Sequence, residues 1–242
     1  MRLLLPEARE VSDDDLPDLY AVTGPHLRGG LIASLDGGVA IDGTSGALGS
    51  AGDRAVLRAL RTVADAVLVG AGTVRSENYG PLTHRPAAAA WRARAGLARQ
   101  AVLVVVSRTG RLDPAGRLGD GPGPVLLAVP PSAEPVAPPG VEVLRVESGP
   151  GALIEALAAR GLTRLLCEGG PELLTSFAQE GLLDELCLTA APYLLGAAPH
   201  LLAAPLAAPV RLALVSLLHD EPDHLLARWS VVRPGGGAQS PE

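Results

Sequence analysis

Four short segments carry most of the side chains that could do chemistry. They are Ser34-Leu35-Asp36-Gly37, Gly70-Ala71-Gly72-Thr73, Ser107-Arg108-Thr109 and Glu168-Gly169-Gly170-Pro171. Each closes an apolar run. In open α/β sheets ligands bind outside the carboxyl ends of strands, so parallel strands would gather all four segments on one rim. Gly169 and Gly170 let a ligand approach the backbone, and a helix start favours phosphate. Pro171 suits the first helical turn, where its missing N–H costs nothing. A plain glycine turn before a helix is the alternative. Glu168 then poses a problem, because a carboxylate stands at the mouth of a site that should attract anions. Gly70-Ala71-Gly72 starts like a dinucleotide fingerprint but lacks the third glycine, and a tight structural turn reads the same way. Ser107-Arg108-Thr109 suits a phosphate monoester, such as the 2′-phosphate that separates NADPH from NADH. An ordinary solvated loop is its alternative.

Other candidates are weaker. Arg54, Arg58 and Arg61 lie at i, i+4 and i+7, so they share one helical stripe. Such a stripe is either a solvated face or a holder of anionic substrate. The five histidines show no metal-ligand spacing. No Gly-x-Ser-x-Gly elbow occurs. All 20 basic residues are arginine, which removes a Walker A lysine and a Schiff-base lysine from consideration. Cys167 and Cys187 lie in apolar runs and read as buried reduced thiols of a cytoplasmic protein.

These residues need a scaffold. The chain has 242 residues, 48% of them hydrophobic and 19% charged, which is enough apolar material for a sizeable core. With only 2% aromatic residues, that core must be built from Leu, Val and Ala. A net charge of −6 argues against nucleic acid as a partner. No apolar run is long enough to span a membrane. Leu27 to Leu35 reads as a strand. Ser50-Ala51-Gly52-Asp53 has the capping-box form and opens a helix with Val56, Leu57, Leu60 and Val63 on one face. Strands then alternate with helices to Ala190. Val210 to Leu218 and His224 to Val232 flank an acidic turn and read as an antiparallel hairpin. The pattern predicts an α/β fold with a mostly parallel sheet and an antiparallel edge. Residues 1–25 read as an irregular lead-in, 26–233 as the domain, and 234–242 as a disordered tail.

Taken in order, the segments resemble a known family. Ala33-Ser34-Leu35-Asp36-Gly37, Gly43-Thr44-Ser45, Leu60-Arg61, Asp65 to Thr73, Leu82-Thr83-His84-Arg85 and Cys167 to Pro171 through Leu183 to Leu186 carry the likeness. They are similar to the reductase domain of the bifunctional riboflavin-biosynthesis deaminase/reductase, over roughly residues 27 to 232. The resemblance implies a three-layer, dihydrofolate-reductase-like fold whose mostly parallel central sheet ends in a C-terminal antiparallel hairpin. It implies NADPH-dependent reduction of 5-amino-6-(5-phosphoribosylamino)uracil to the ribitylamino product.

The same resemblance implies roles for individual residues. NADPH contacts fall on Ala33, Thr73, Glu77, Leu82 and Ser107, with Arg108 beside it. They continue through Gly169, Gly170, Pro171, Glu172, Leu173, Leu174, Thr175 and Ser176. Substrate contacts fall on Ser45, Arg61, Arg85 and Glu168. Arg61 and Arg85 would hold the ribose phosphate, and Glu168 would turn to the N–H groups of the uracil. Asp36 is the nearest candidate for proton donor by motif, with bound water as its competitor, and Asp36-Gly37-Gly38 reads equally as a structural turn. A homodimer is implied, either stand-alone or beside a separate deaminase, since no His-x-Glu with Pro-Cys-x-x-Cys zinc signature occurs. Two positions depart from the family pattern. Gly30 stands where Lys is frequent, and Ala47 where Trp is frequent. A reductase of another heterocycle, dihydrofolate included, or a non-catalytic nucleotide-binding protein are the alternatives.

Overall fold

Runs such as Ala66–Gly70 and Val102–Val106 have no polar face because both faces of the sheet they join are covered. The computed structural model describes residues 1–147 and 149–233. Its strands are β1 (Arg2–Leu5), β2 (Arg9–Glu10), β3 (His26–Ser34), β4 (Ala66–Gly70), β5 (Val102–Val106), β6 (Val125–Val129), β7 (Glu142–Arg145), β8 (Arg164–Cys167), β9 (Glu185–Ala191), β10 (Leu212–Asp220) and β11 (His224–Val231). Its α-helices are α1 (Leu16–Tyr20), α2 (Ala51–Val63), α3 (Ala71–Ser76), α4 (Pro86–Arg94), α5 (Pro150–Ala158) and α6 (Pro171–Gln179).

The strands form one sheet in the order β2-β1-β10-β11-β9-β3-β8-β4-β5-β6-β7. From β9 to β7 every neighbouring pair is parallel. From β2 to β9 every pair is antiparallel, with the expected hairpin at β10 and β11. Successive side chains of a strand point to opposite faces, and they divide two cores accordingly. Val67, Val69, Leu103 and Val105 pack with Val56, Leu60 and Val63 of α2. Ala66, Leu68 and Val104 pack with Leu157 of α5 and Phe177 of α6. Helices thus cover both faces, giving three layers. Cys167 and Cys187 are buried and free. No described helix is long and apolar enough to cross a membrane.

The expectation of an irregular lead-in over 1–25 is corrected. β1 pairs with β10, β2 with β1, and α1 buries Leu16 and Tyr20 against α2. These elements are too short to show a period, yet each has a ready partner in the sheet or in α2. The expected tail, 234–242, lies outside the described residues.

Two anchors hold α2. At its start, Ser50 Oγ accepts the Asp53 N–H (2.9 Å), as the capping-box form predicts. Asp220, at the end of β10, accepts the Gly52 N–H (2.8 Å). At its end, the buried Arg92 of α4 donates to the carbonyls of Thr62 (2.8 Å), Ala64 (2.6 Å) and Ala98 (2.7 Å). A cation near a helix C-terminus meets orphan carbonyls and the negative end of the dipole.

Candidate active site

The carboxyl ends of the parallel strands open into a cleft of about 1220 Å³. Three of the four rim segments contribute to it: Gly70 to Thr73 after β4, Ser107 to Thr109 after β5, and Glu168 with Gly170 after β8. The glycine turns abut backbone to backbone. The Gly70 N–H donates to the Gly169 carbonyl (2.8 Å). Gly169 has φ +92°, a conformation that favours glycine, and a Cβ on Gly170 would stand 2.9 Å from Thr73 Oγ1. The helices α3 and α6 start from these two turns, so two positive helix ends face the same space.

The Glu168 problem is resolved by its partners. Its Oε1 accepts from Arg61 Nε and its Oε2 from Arg61 Nη2, both at 2.6 Å, and Oε2 also accepts from the Tyr79 hydroxyl (2.6 Å). The Arg61 guanidinium stacks 5.7 Å from the Tyr79 ring centroid. Glu168 is 3% exposed, so a paired cation is what makes its charge tolerable there. Burial and the adjacent carboxylate push the Tyr79 phenol well up, so it stays a donor. Arg61 therefore spends Nε and Nη2 on Glu168, while its Nη1 has no hydrogen-bond partner among the described residues. A carboxylate has about four lone-pair sites, so Glu168 keeps capacity for a further donor.

A second cleft of about 770 Å³ adjoins the first, and Ser45, Glu77 and Tyr79 line both. Arg61, Leu82 and Arg85 line it with Arg58 and Arg94. The Glu77 carboxylate accepts the Ser45 N–H (2.7 Å), which pins the 43–46 loop to α3.

Of the expected cofactor residues, Thr73, Glu77, Ser107, Arg108, Gly170, Pro171, Glu172, Leu173 and Ser176 line the larger cleft. Arg108 is 92% exposed, with Glu172 3.9 Å away, and so is free to turn to a ligand. Ser107 is buried, and its Oγ accepts the Gly110 N–H (3.0 Å). Leu174 and Thr175 do not reach the cleft through their side chains. Leu174 packs in the core with Phe177, and Thr175 bonds the Pro171 carbonyl and the Ala203 N–H. Ala33 and Leu82 are buried as well.

Asp36 is corrected as the proton donor. Its carboxylate accepts from Ser34 Oγ and from the backbone N–H groups of Leu195 and Gly196. Those bonds hold its carboxyl down at about 2. The carboxylate fastens the turn after β3 and lines neither cleft.

Gly30 lies in β3 on the cleft wall. A Cβ there would stand 2.9 Å from Leu166 Cδ1 and 3.1 Å from Leu60 Cδ1. The space a longer side chain would need is filled by leucine.

Asp53 and Tyr79 were not singled out as site residues. Asp53 lines the larger cleft, as does Thr189 of β9. Burial raises the Asp53 carboxyl above its ordinary value, against the opposing effect of Thr189. In the sequence, Asp53 reads only as the fourth residue of a capping box. Its approach to β9 had no local signal.

With this geometry, residues 25–226 match the model of the RibD C-terminal domain. The chain belongs to that family. The RibD C-terminal domain accounts for the resemblance seen in the motifs, and its dihydrofolate-reductase-like fold is the three-layer arrangement described above. The riboflavin biosynthesis protein RibD of Mycobacterium tuberculosis is 32% identical over 173 residues, covering 71% of this chain and 43% of that protein. The chain thus spans about two fifths of that relative's length. The 2,5-diamino-6-ribosylamino-4(3H)-pyrimidinone 5′-phosphate reductase of Methanothermobacter thermautotrophicus is 31% identical over 170 residues, covering 67% of this chain and 76% of that one. Among solved structures, a pyrimidine reductase-like protein from Corynebacterium diphtheriae superposes with a TM-score of 0.79 at 26% identity, over 92% of this chain and all of that one.

Proposed function

We propose that this RibD C-terminal domain reduces 5-amino-6-(5-phosphoribosylamino)uracil to its ribitylamino product with NADPH, in riboflavin biosynthesis. The observation that carries the reading is the meeting of two unlike clefts. The larger has the helix ends and glycine turns that suit a dinucleotide diphosphate. The smaller has arginines that suit a sugar phosphate. Glu168 stands in the larger cleft, joined through Arg61 to the smaller one.

The residues present fit the cofactor. A Cβ on Gly170 would fill the cradle beside Thr73, and the α3 and α6 starts face it. Ser107 and the exposed Arg108 suit the 2′-phosphate. When bound, NADPH supplies the hydride. The chain supplies orientation: Glu168, fixed by Arg61 and Tyr79, accepts N–H groups of the uracil, and Arg85 takes the ribose phosphate. Exclusion of bulk water by the apolar walls Leu31, Leu57 and Leu173 strengthens these contacts.

A homodimer fits the half-exposed Leu214, Val215 and Leu225 of the β10–β11 hairpin, and a cytoplasmic location fits the two free thiols. A separate deaminase would supply the substrate. Gly30 and Ala47 favour a second reading, reduction of another heterocycle. NADPH oxidation followed at 340 nm separates them, with the aminouracil, the 2,5-diaminopyrimidinone phosphate and dihydrofolate tested side by side. Turnover on the aminouracil alone is expected. Turnover on dihydrofolate alone would establish the second reading.

A further inference from the structure

The helix α1 precedes residues 25–226, the span of the family match, yet it reaches the cleft. It ends in Tyr20, which lines the larger cleft. A set of buried charges holds that end. Glu185 of β9 accepts from Nε of both Arg28 on β3 and Arg228 on β11. Arg28 Nη1 then donates to the Tyr20 carbonyl (2.9 Å), and Arg228 Nη1 to the Leu19 carbonyl (2.8 Å). The two guanidiniums also lie 5.9 and 6.0 Å from the Tyr20 ring centroid. Ring and backbone are both fixed by strands of the central sheet.

The Tyr20 hydroxyl is left over. It has no hydrogen-bond partner among the described residues, whereas the Tyr79 hydroxyl donates to Glu168. Among those residues, the fully enclosed side-chain atoms without a partner belong to His26, Arg28, Ser216 and His224. The Tyr20 oxygen is not one of them, so it borders the open cleft although the residue is 1% exposed. Phenylalanine would serve packing better, because a buried hydroxyl without a partner costs free energy that a C–H does not. The sheet register shows what lies opposite. Gly29 of β3 pairs with Cys167 of β8, so Glu168 follows level with Gly30. Gly30 pairs in turn with Cys187 of β9. Glu168, Gly30 and Cys187 thus form one row across three strands, about 9–10 Å wide. Tyr20 packs in the same cluster as Cys187. One end of the row carries an acceptor and the other an unpaired hydroxyl. The floor between them, Gly30 with Leu60 against it, is apolar.

We propose that Tyr20 is a specificity-determining residue of the substrate site, its hydroxyl donating to a ring carbonyl of the heterocycle whose N–H groups Glu168 accepts. The proposal rests on the pyrimidine reductase reading above. A planar ring with N–H donors on one edge and a carbonyl on the other spans the row from Glu168 to Tyr20. Burial keeps the phenol protonated, so it remains a donor. Tyr20 takes no part in hydride or proton transfer; it selects the ring that is held. Gly30 belongs to the same arrangement. It stands where Lys is frequent in the family, and the polar hydrogen on this row comes instead from a helix that precedes the match.

The test removes the hydroxyl and keeps the ring. Tyr20→Phe should match wild type in melting temperature and in NADPH dissociation constant. Its KM for the aminouracil should rise about five- to tenfold, the worth of one neutral hydrogen bond, with a smaller change in kcat. Calorimetric titration with the ribitylamino product should show the same loss of affinity. A purely structural Tyr20 would move the melting temperature and not this split. Fluorotyrosine placed at position 20 gives a second readout that does not depend on the variant. Its fluorine resonance should move when the product is added and hold still when NADPH alone is added. If wild type turns over and Tyr20→Phe keeps both KM and product affinity, the specificity role is overturned alone. A fluorine signal blind to the product also overturns it. If wild type shows no turnover on the aminouracil, the reductase reading falls and takes the role of Tyr20 with it.

Discussion

Arg61 and Glu168 are 107 residues apart in the chain and meet through two nitrogen–oxygen contacts of 2.6 Å. One sits at the last turn of α2, the other in the turn that leads to α6. The pair makes Glu168 a fixed acceptor. Glu168→Gln removes the charge but keeps the shape. Substrate affinity should fall about tenfold, the worth of one charge-assisted bond, while NADPH affinity changes less than about threefold. Calorimetric titration of each ligand checks this, and equal loss of both would sink the separation of the two ligands at this turn. Arg61→Ala leaves Glu168 buried without its cation and should cost about 3 kcal/mol of stability in urea unfolding.

Ser107 and Arg108 offer a test of cofactor choice. The double change to alanine should cut the preference for NADPH over NADH about tenfold, since a phosphate held by Arg is a charge-assisted contact. Fluorescence titration with both cofactors reads this directly. Parallel weakening of both would remove the 2′-phosphate role.

Gly30 illustrates what a sequence departure can mean. Replacing it with Ala should destabilise the chain by about 1–3 kcal/mol, because Leu166 and Leu60 already occupy the space. Replacing it with Lys, the frequent family residue, should cost more and should not improve turnover. Chemical unfolding together with kcat/KM checks both. A stable, more active Gly30→Lys would show that the leucines yield readily.

Arg92→Met keeps the bulk but deprives three carbonyls of their donor. A loss of about 3 kcal/mol is expected. Since two of those carbonyls, of Thr62 and Ala64, end the helix that carries Arg61, substrate KM should rise with it. Differential scanning calorimetry and steady-state kinetics measure the two effects, and a stable variant with unchanged KM would show that α2 does not need this anchor.

Stability should also depend on His84. Burial, aided by the Arg92 and Arg61 guanidiniums, pushes its imidazole down to about 4. Its Nε2 accepts the Ala101 N–H (3.3 Å), which requires the neutral ring. The unfolded chain therefore binds the proton more readily between pH 4 and about 6.5, and stability rises with pH there. This contribution is complete above about 6.5 and lost as pH falls through the folded value. Urea midpoints for wild type and His84→Gln across that window should converge as pH falls. Parallel curves would assign the acid sensitivity to other groups.

The rim segments were legible in the sequence because each is a local event, a polar residue breaking an apolar strand. The strand–helix alternation and the capping box were legible for the same reason. Pairings across long stretches of chain were not. The Arg61–Glu168 and Gly52–Asp220 contacts depend on which strands become neighbours in the sheet. Leu174 and Thr175 are a different case. Leu174 lies three residues from Phe177, so the helix phase already turned it inward, but a contiguous stretch carried over from a family ignores phase. The short elements before His26 carried too few residues to display any period.

Both ends of α2 are bolted to other parts of the molecule, one by Asp220 and the other by Arg92. Asp53 and Arg61 stand eight positions apart on it, a rise of about 12 Å. The helix is thus a spacer bar whose length, set by backbone hydrogen bonds, fixes how far Asp53 lies from Arg61. Surface side chains along it can drift without changing that span. Adding or removing a single residue cannot be absorbed in the same way, because it swings one end about 100° around the axis relative to the other. Substitutions along the helix are thereby easier to absorb than insertions, and the span between the two clefts is written into a count of residues.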